Sequence, residues 1–225
     1  MAEQKQRRSH ALEPDLIADP QLKAEAEAKN GLRQYDVGIR IIETAIERGA
    51  AEFKLRPSTI LALHREALSG ISSYAGLWRP AGVEIQGSKH SPPGAHLVPE
   101  LVENMCDYVN ERWQDATAIH LAAYLMWRLN WIHPFADGNG RTARMTSYVV
   151  MSIKIGRVLA GTPTIPEQIA DNRVPYFDAL DEADEAFKKD QIDVSKMEEL
   201  LASLLANQLM SIYKLAGGGQ LNTPA

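Results

Sequence analysis

Two long apolar segments in the second half of the chain flank a short polar one. Residues 119–132 are apolar on almost every side of a helix, and residues 139–155 repeat that character. A helix that is apolar all round is normally buried in the core of a protein. The pattern therefore predicts two buried central helices, at 117–132 and 139–155, joined by a polar loop that begins at His133.

Further helices are predicted on both sides of this pair, because apolar residues recur there at the spacing of a helix face. We expect Gly31 to stop or bend the first helix, Ser58 or Thr59 to cap a later one, and a capping box of Ser195 and Glu198 to start the last. The helical segments are 21–30, 35–46, 58–70, 98–113, 165–187 in two pieces broken near Pro175, and 195–209.

Only residues 78–86 alternate in the manner of a β-strand. Apolar Val83 and Ile85 alternate with polar residues after a Pro-Ala-Gly turn. An isolated hairpin is only marginally stable in water, so we expect this one to pack against the helices. The predicted fold class is therefore all-α, with one small hairpin.

The pattern divides the chain into one domain and two tails. Residues 1–20 are polar, and we expect a flexible tail with solvated Lys and Arg side chains. Residues 21–214 are expected to form a single helical domain, and residues 215–225 a loose tail. The acidic run at 181–185 is interpreted as a solvated face.

Length, charge and cysteine content narrow the class of protein. A chain of 225 residues can build a real core, and a net charge of −5 presents no basic field for nucleic acid. Cys106 is the single cysteine, no apolar signal core follows the N-terminus, and the most apolar run is too short to span a bilayer. We expect a cytoplasmic protein without nucleic-acid or membrane partners; delivery by a signal-less secretion route stays open.

The segment 133–144, HPFADGNGRTAR, contains the residues with the strongest chemical signal. Pro134 disfavours helical geometry at the residue before it, so the incoming helix should end near His133, whose imidazole suits a general base. Gly138 and Gly140 allow a ligand to approach the backbone closely. Their amides, at the start of the next helix, form an anion-binding nest.

Charged side chains of the same segment suit a metal-bound polyphosphate. Asp137 supplies a hard oxygen ligand for Mg²⁺ that phosphates already hold. Arg141 and Arg144 are three residues apart, so they share a helix face, and both can form paired hydrogen bonds with phosphate oxygens. Base, metal ligand, amide nest and two arginines together indicate phosphoryl or nucleotidyl transfer.

Two other phosphate- or metal-binding motifs fit the sequence less well. A calcium loop in this register needs ligands at its first and twelfth positions, where Phe135 and Thr146 stand. The glycine spacing at 156–161 is that of a Walker A motif, but Thr162 stands where the lysine must be.

Residues 133–144 match the Fic-domain motif, His-Pro-Phe-x-Asp/Glu-Gly-Asn-Gly-Arg-x-x-Arg, at every defined position. The chain resembles Fic proteins over about residues 57–209, which implies a Fic-type helical bundle with a β-hairpin flap over the motif. The flap would hold a target protein by strand addition along residues 78–86. Supporting matches are Leu63-His64 with Gly76-Leu77-Trp78-Arg79, before the flap, and Asn172-Arg173 with Tyr176 and Ala179-Leu180, on a later helix.

Fic proteins transfer AMP from ATP to a hydroxyl of a target protein, and the resemblance implies roles for the motif residues. His133 is the catalytic base, and Asp137 binds the Mg²⁺ that accompanies ATP. Arg141 contacts the inner phosphates and assists catalysis, while Arg144 reaches the γ-phosphate. Phe135 is a buried anchor for the loop.

The remaining implied ATP-binding residues lie around the same loop and on the later helix. Gly138, Asn139 and Gly140 line the anion hole, through backbone amides and the Asn side chain. Asn172 and Tyr176 sit beside the adenine. From periodicity alone, the nearby histidine at position 64 is interpreted as a core-edge residue with a local hydrogen bond.

AMP transfer to a Ser, Thr or Tyr hydroxyl is the function that the resemblance favours. The kinase branch of the family departs from Gly-Asn-Gly, which this chain keeps. Transfer of UMP, GMP, a phosphoryl group or phosphocholine stays open, as do removal of AMP from proteins and a catalytically silent peptide-binding module.

Many Fic proteins are inhibited by a helix motif, Ser/Thr-x-x-x-Glu-Gly/Asn, whose Glu pairs with the last arginine of the Fic motif, here Arg144. The two nearest copies, at 9–14 and 195–200, end in Pro and Leu. Glu25 and Glu27 are looser candidates. The inhibitory Glu therefore lies in a degenerate N-terminal helix, which we favour, or on a separate antitoxin chain, or does not exist.

Overall fold

A computed structural model describes residues 7–10 and 16–217, which form a helical bundle with one two-stranded sheet. The predicted all-α fold class is confirmed. The α-helices are α1 (Pro20–Glu47), α2 (Pro57–Leu68), α3 (Val98–Glu111), α4 (Ala118–Ile132), α5 (Asn139–Ile155), α6 (Ile165–Asp171), α7 (Val174–Phe187) and α8 (Ser195–Leu215). The strands are β1 (Arg8–His10) and β2 (Glu84–Gln86), and short 3₁₀ helices cover Ala50–Glu52 and Ala95–Leu97.

Helices α4 and α5 form the centre of the bundle and pack along each other, as the apolar pattern predicts. Side chains on every side of α4, such as Leu125, Trp127 and Leu129, are buried. Helices α1 and α2 pack on α5, while α3 and α8 pack on α4. In the described part of the chain, no helix combines the length and the apolarity that crossing a membrane requires.

The loop between α4 and α5 is shaped by the residues at its two ends. His133 caps the C-terminus of α4 in the left-handed region, with φ 51°. Gly138 caps the N-terminus of α5 with φ 77°, a conformation that favours glycine. A Cβ at Gly138 would also lie 2.4 Å from Leu68 Cδ2. Two independent constraints therefore require glycine at the start of α5.

Helix α1 does not end or visibly break at Gly31, contrary to the prediction, and continues to Glu47. Buried polar side chains on both sides of this glycine attach the helix to α2. The Asn30 side chain donates to the Ser69 carbonyl at 2.7 Å, and the Gln34 side chain donates to the Leu63 carbonyl at 3.1 Å. Tertiary packing here outweighs the roughly 1 kcal/mol that glycine costs in a helix.

The predicted side-chain caps of α2 and α8 are wrong. Helix α2 begins at Pro57, whose fixed φ and missing N–H suit the first turn, and neither predicted hydroxyl residue is the N-cap. Helix α8 begins at Ser195 itself, so this residue lies inside the helix. Glu198 instead accepts a hydrogen bond from His120 Nδ1 at 2.7 Å, which joins α8 to α4.

The strand prediction is right in place but differs in extent and in partner. Strand β2 has three residues, and its partner is β1 near the N-terminus, in an antiparallel pair with Ser9 opposite Ile85. Residues 7–10 are thus part of the fold and not the solvated tail that was expected. The rest of the predicted tails, at 1–6, 11–15 and 218–225, lies outside the described residues.

The acidic run on α7 is only partly the solvated face that was expected. Asp181 accepts two hydrogen bonds from Arg7, at 2.6 and 2.7 Å. Asp184 accepts one from Trp127 Nε1 at 2.8 Å, and burial raises its pKa. The half-exposed Asp181 thus attaches α7 to the residue before β1, and Asp184 attaches α7 to α4.

Candidate functional site

The His133 side chain is buried, and its hydrogen bonds define its tautomer. Nδ1 lies 3.2 Å from the backbone oxygen of Asn130. A carbonyl oxygen can only accept, so Nδ1 carries the ring proton and donates it. Nε2 of the neutral ring is therefore an acceptor. It lies 2.8 Å from Ser9 Oγ, so the serine hydroxyl donates to it.

The surroundings of His133 keep its imidazole neutral. Burial lowers its pKa to about 4, and the neighbouring Arg79 and His90 act in the same direction. The carbonyl of Asn130 and the carboxylate of Asp137 oppose the shift without cancelling it. At neutral pH the ring can accept a proton at Nε2 without first losing one, as a general base must.

Arg79 holds the turn that presents His133. Its side chain is buried and donates to the His133 carbonyl at 2.8 Å, to the Ala81 carbonyl at 2.9 Å and to the carbonyl of Pro93. Its own backbone N–H donates to the Pro134 carbonyl at 2.9 Å. One guanidinium thus ties the segment before β2 to the start of the motif loop.

His64, on α2, holds the other side of the loop. Its Nδ1 accepts from the Gly76 amide at 2.9 Å, so Nε2 carries the proton and donates to the Asp137 carbonyl at 3.0 Å. The ring also stacks on Phe135, with centroids 3.6 Å apart and planes within 6°. Its predicted position at the core and its hydrogen bonding are both present, but one of the bonds reaches the motif across the fold.

The Asn139 side chain closes the loop on itself. Its Oδ1 accepts from the Phe135 amide at 2.9 Å, and its Nδ2 donates to the Phe135 carbonyl at 2.8 Å. Nδ2 also lies 3.4 Å from Ser9 Oγ. The side-chain amide of Asn139 therefore makes its shortest hydrogen bonds with the loop backbone. The predicted anion hole is left chiefly to the backbone amides at the start of α5, where Gly138 offers no side chain to cap them.

Asp137 and Arg141 form an ion pair at the cavity wall. Asp137 Oδ2 lies 3.1 Å from Arg141 Nη2, and Asp137 Oδ1 accepts from the Gly138 amide at 2.6 Å. Arg141 Nη1 also lies 3.4 Å from Glu27 Oε1 on α1. Of the two glutamates singled out in the sequence, Glu27 therefore reaches the motif, while Glu25 is exposed and bonds to Gln21.

Arg144 lies one turn beyond Arg141 on α5 and is partly buried. Burial lowers its pKa, and the nearby Arg173 and Arg141 lower it further. Within residues 7–10 and 16–217, no carboxylate lies within ion-pair distance of it. The expected contact between an N-terminal glutamate and Arg144 is therefore absent from this part of the chain, and Glu27 contacts Arg141 instead.

A cavity of about 950 Å³ brings the motif residues together. Its lining includes His133, Asp137, Gly138, Asn139, Gly140, Arg141 and Arg144, together with Arg173 and Tyr176 of the α7 region. Tyr176 is buried, and its hydroxyl accepts from the Asn130 side chain at 2.7 Å. Asn172, expected beside the adenine, is exposed and is not among the described residues that line the cavity. A second cavity of about 490 Å³, against α1, shares no residue with the motif.

The metal-binding groups of the cavity suit a metal ion that enters already bound to another ligand, such as a nucleotide. The described residues contain no cluster of three or more His, Cys, Asp or Glu side chains that could hold a metal by itself. The Asp137 side chain is 46 % exposed at the cavity wall. One carboxylate that completes a shell of phosphate oxygens and waters is the usual way in which proteins hold Mg²⁺ with a nucleotide.

Fold and loop define the class of protein: a helical bundle that presents the motif between two buried helices. Residues 54–151 match the model of the Fic/DOC family. The chain shares 32 % identity over 131 residues with protein adenylyltransferase Fic of Nematostella vectensis, and 29 % over 161 residues with a probable protein adenylyltransferase of Aquifex aeolicus. These matches cover 55 % and 66 % of the chain, and 27 % and 45 % of the relatives. The chain is therefore similar to the Fic/DOC family over the motif and the helices around it, and it spans less than half the length of these relatives.

Solved structures agree on the fold. A Fic-domain signaling protein from Bacteroides thetaiotaomicron superposes with a TM-score of 0.67 at 22 % identity, over 91 % of this chain and 78 % of that one. Fic-1 from C. elegans gives a TM-score of 0.66 at 23 % identity, over 90 % of this chain and 55 % of that one.

Sequence reasoning missed the residues that support the site from other elements. The sequence places Arg7 in a solvated tail, Ser9 at the start of an incomplete inhibitory motif at 9–14, and Arg79 in the segment before the flap. Asn130 was absorbed into the apolar pattern of α4. A polar residue inside an otherwise apolar helix is a signal that could have identified Asn130. No local pattern indicates that the other three residues contact the site.

Proposed function

We propose that the chain transfers AMP from ATP to a Ser, Thr or Tyr hydroxyl of a protein and releases pyrophosphate. One observation carries this proposal. The unprotonated Nε2 of His133 lies 2.8 Å from a serine hydroxyl, at a cavity whose wall carries Arg141, Arg144 and the start of α5. The names of the relatives, which describe protein adenylyltransferases, support the same reaction.

In the proposed reaction, the acceptor hydroxyl gives its proton to His133 Nε2 as its oxygen attacks the α-phosphorus. The new oxygen–phosphorus bond forms while the bond to the oxygen that bridges the α- and β-phosphates breaks. The electron pair of the broken bond leaves with pyrophosphate. The backbone amides at Gly138–Gly140 and the Arg141 guanidinium stabilise the negative charge that develops on the phosphates.

Mg²⁺ is the proposed cofactor, with Asp137 as its protein ligand. Bound there with ATP, the ion would neutralise charge on the α- and β-phosphates. To reach it, Asp137 would exchange its ion pair with Arg141, a rim contact worth at most about 1 kcal/mol, for a metal bond.

The direction of ATP distinguishes AMP transfer from phosphorylation. Arg144, charged and without a carboxylate partner in the described residues, is the proposed contact of the γ-phosphate. Holding the γ-phosphate there leaves the α-phosphorus toward His133. Tyr176, which lines the cavity, is the proposed neighbour of the adenine. These contacts favour AMP as the transferred group over a phosphoryl group.

Regulation by α1 is part of the proposal. Glu27 competes with the inner phosphates for Arg141, at a nitrogen–oxygen distance of 3.4 Å. The family's inhibitory glutamate pairs with the last arginine of the motif. Here the proposed inhibitory contact is one helical turn earlier, and α1 would have to shift or repack before Arg141 engages a phosphate.

The experiment that tests the function uses ATP labelled at the α-phosphate, Mg²⁺, the purified chain and a cell lysate. Label should enter protein, and intact-mass analysis should show an added AMP. His133→Ala should abolish the label, while His96→Ala, which alters an exposed histidine outside the cavity, should leave it unchanged. An added phosphate, UMP or phosphocholine would reassign the reaction, and no label with either protein would contradict it.

A further inference from the structure

The flap edge that would bind a target is already filled by the chain's own N-terminal segment. Strand β1 pairs antiparallel with β2, so that Arg8 lies opposite Gln86, Ser9 opposite Ile85 and His10 opposite Glu84. In strand addition, backbone hydrogen bonds provide affinity, and the side chains of the added strand are presented at fixed positions. The residue that the register places at the active site is a serine.

Arg7 anchors the same segment on the other side of the cavity. Its guanidinium donates to both carboxylate oxygens of Asp181, at 2.6 and 2.7 Å, and lies 4.7 Å from the centre of the Phe177 ring. The Arg7 side chain is only 12 % exposed. Ser9 is therefore held in two ways: by the pairing of β1 with β2, and by the ion pair of Arg7 with Asp181.

The Ser9 hydroxyl has the geometry of an acceptor about to react. Its proton points to His133 Nε2 at 2.8 Å, because the tautomer set by the Asn130 carbonyl leaves that nitrogen as an acceptor. Asn139 Nδ2 donates to the same oxygen at 3.4 Å. A nucleophile and its base within hydrogen-bond reach, with the base oriented by a third group, are the arrangement that activates a hydroxyl.

The docked segment leaves room for the nucleotide. The cavity of about 950 Å³ is measured with the strand in place, and Arg7 and Ser9 belong to its lining. This volume lies at the upper end of the range for pockets that take small-molecule ligands, about 300–1,000 Å³. A segment that only blocked the site would fill this space, whereas β1 leaves the cavity open and places the Ser9 hydroxyl at its wall, against His133.

We propose that Ser9 is an intramolecular acceptor, to which the chain transfers AMP in cis. This inference rests on the proposed function and names a substrate for it. Ser9 Oγ loses its proton to His133 Nε2 and forms a bond to the α-phosphorus of ATP. The bond between that phosphorus and the bridging oxygen breaks, and pyrophosphate leaves. Because one segment fills one flap, each chain takes a single AMP at this position.

The test incubates the whole chain with ATP and Mg²⁺ and locates the added AMP by intact mass and peptide fragmentation. It is run on the natural sequence and on Glu27→Gly, so that inhibition by α1 does not hide the reaction. We expect AMP on Ser9, with a rate constant independent of protein concentration. When a His133→Ala chain is mixed with the active chain, it should stay unmodified, because each segment serves its own site.

Substitutions at Ser9 separate an acceptor from a structural residue. Ser9→Ala should remove AMP from the chain, and Ser9→Thr, which keeps a hydroxyl, should retain it. Ser203→Ala, at an exposed serine on α8, is the matched control and should behave as the natural sequence.

Transfer to lysate proteins, measured in the same samples, distinguishes failure of this inference from failure of the proposed function. AMP on lysate proteins but not on Ser9 would overturn the acceptor and leave the function intact. The same applies if Ser9→Ala increases transfer to the lysate and the natural chain carries no AMP at Ser9, since the segment is then a plug. No AMP on either would overturn both.

Discussion

His133 illustrates how the surroundings of one residue set its chemistry. An imidazole in water titrates near 6.5, and burial lowers the pKa of this one to about 4. The bond from Nδ1 to the Asn130 carbonyl places the remaining proton on the side away from Ser9. Burial therefore keeps the ring neutral, and the Asn130 carbonyl of α4 determines which nitrogen can accept a proton.

The first prediction concerns the pH dependence of the proposed reaction. The base form of His133 is lost only when pH falls through the folded pKa, so kcat/KM should stay level from neutral pH down to about 5 and decline below it. The measurement is the rate of AMP transfer to protein against pH at low ATP. An acid limb centred near 6.5 would show that the ring is solvated in the free protein, contrary to the structure.

The second prediction concerns Arg79. Arg79→Lys keeps the charge, but its three N–H donors lie on one nitrogen, which cannot reach the three carbonyls that Nε, Nη1 and Nη2 of Arg79 contact separately, so buried acceptors lose their partners. We expect a loss of about 2–4 kcal/mol in the free energy of unfolding, measured by urea denaturation, and a lower transfer rate because the His133 turn loosens. Arg157→Lys, at an exposed arginine, is the control. Equal stabilities of the two variants would remove the positioning role.

At the scale of elements, the motif loop depends on helices and segments that lie far from it in sequence. Helix α2 supplies His64, which donates to the Asp137 carbonyl and stacks on Phe135. Helix α1 supplies Glu27 to Arg141. Helices α4 and α5 provide the reactive groups, and the helices packed on them decide how those groups are held.

The third prediction separates the two glutamates of α1. Glu27→Gly removes the contact with Arg141, and transfer should rise by up to about fivefold, because an exposed ion pair is worth at most about 1 kcal/mol. Glu25→Gly, two residues away, lowers the helix propensity of α1 by the same amount. Because Glu25 does not contact Arg141, this variant should leave the rate unchanged. Equal effects of the two substitutions would assign the change to the helix and not to the ion pair.

At the scale of the whole molecule, ligand binding and folding are linked. A ligand that binds only the folded chain stabilises it by about 2.7 kcal/mol at a concentration one hundred times its Kd. The cavity joins the α4–α5 loop to α1, α7 and the N-terminal segment. A nucleotide bound there would therefore contact several elements at once and add to the packing that already joins them.

The fourth prediction follows from that linkage. ATP with Mg²⁺ should raise the midpoint of thermal unfolding, and AMP should raise it less. Arg144→Ala should reduce the shift caused by ATP and leave the shift caused by AMP, because only ATP carries the γ-phosphate that Arg144 is proposed to contact. Arg157→Ala is the control. If Arg144→Ala reduced the thermal shifts caused by ATP and by AMP equally, the arginine would maintain the shape of the cavity and would not contact the γ-phosphate.

The sequence by itself determined the all-α class, the buried pair α4 and α5, and the loop between them that contains His133, Asp137 and the two arginines. These features are local. Apolar periodicity indicates a buried helix, Pro134 favours the end of α4 just before it, and Gly138 and Gly140 lie at the start of α5. The signals act over a few residues, so they can be read without knowing the fold. Helix ends were not determined in this way, because tertiary packing continues α1 through Gly31.

Only the tertiary structure decided what surrounds the loop. Ser9 lies 124 positions from His133 in the chain, and Arg7 lies 174 positions from Asp181. Each of these contacts depends on how helices pack and on which strand completes the sheet, and neither leaves a pattern along the sequence. A polar residue near an end of the chain looks the same whether it is solvated or held against a base, because its energy depends on neighbours that folding brings to it.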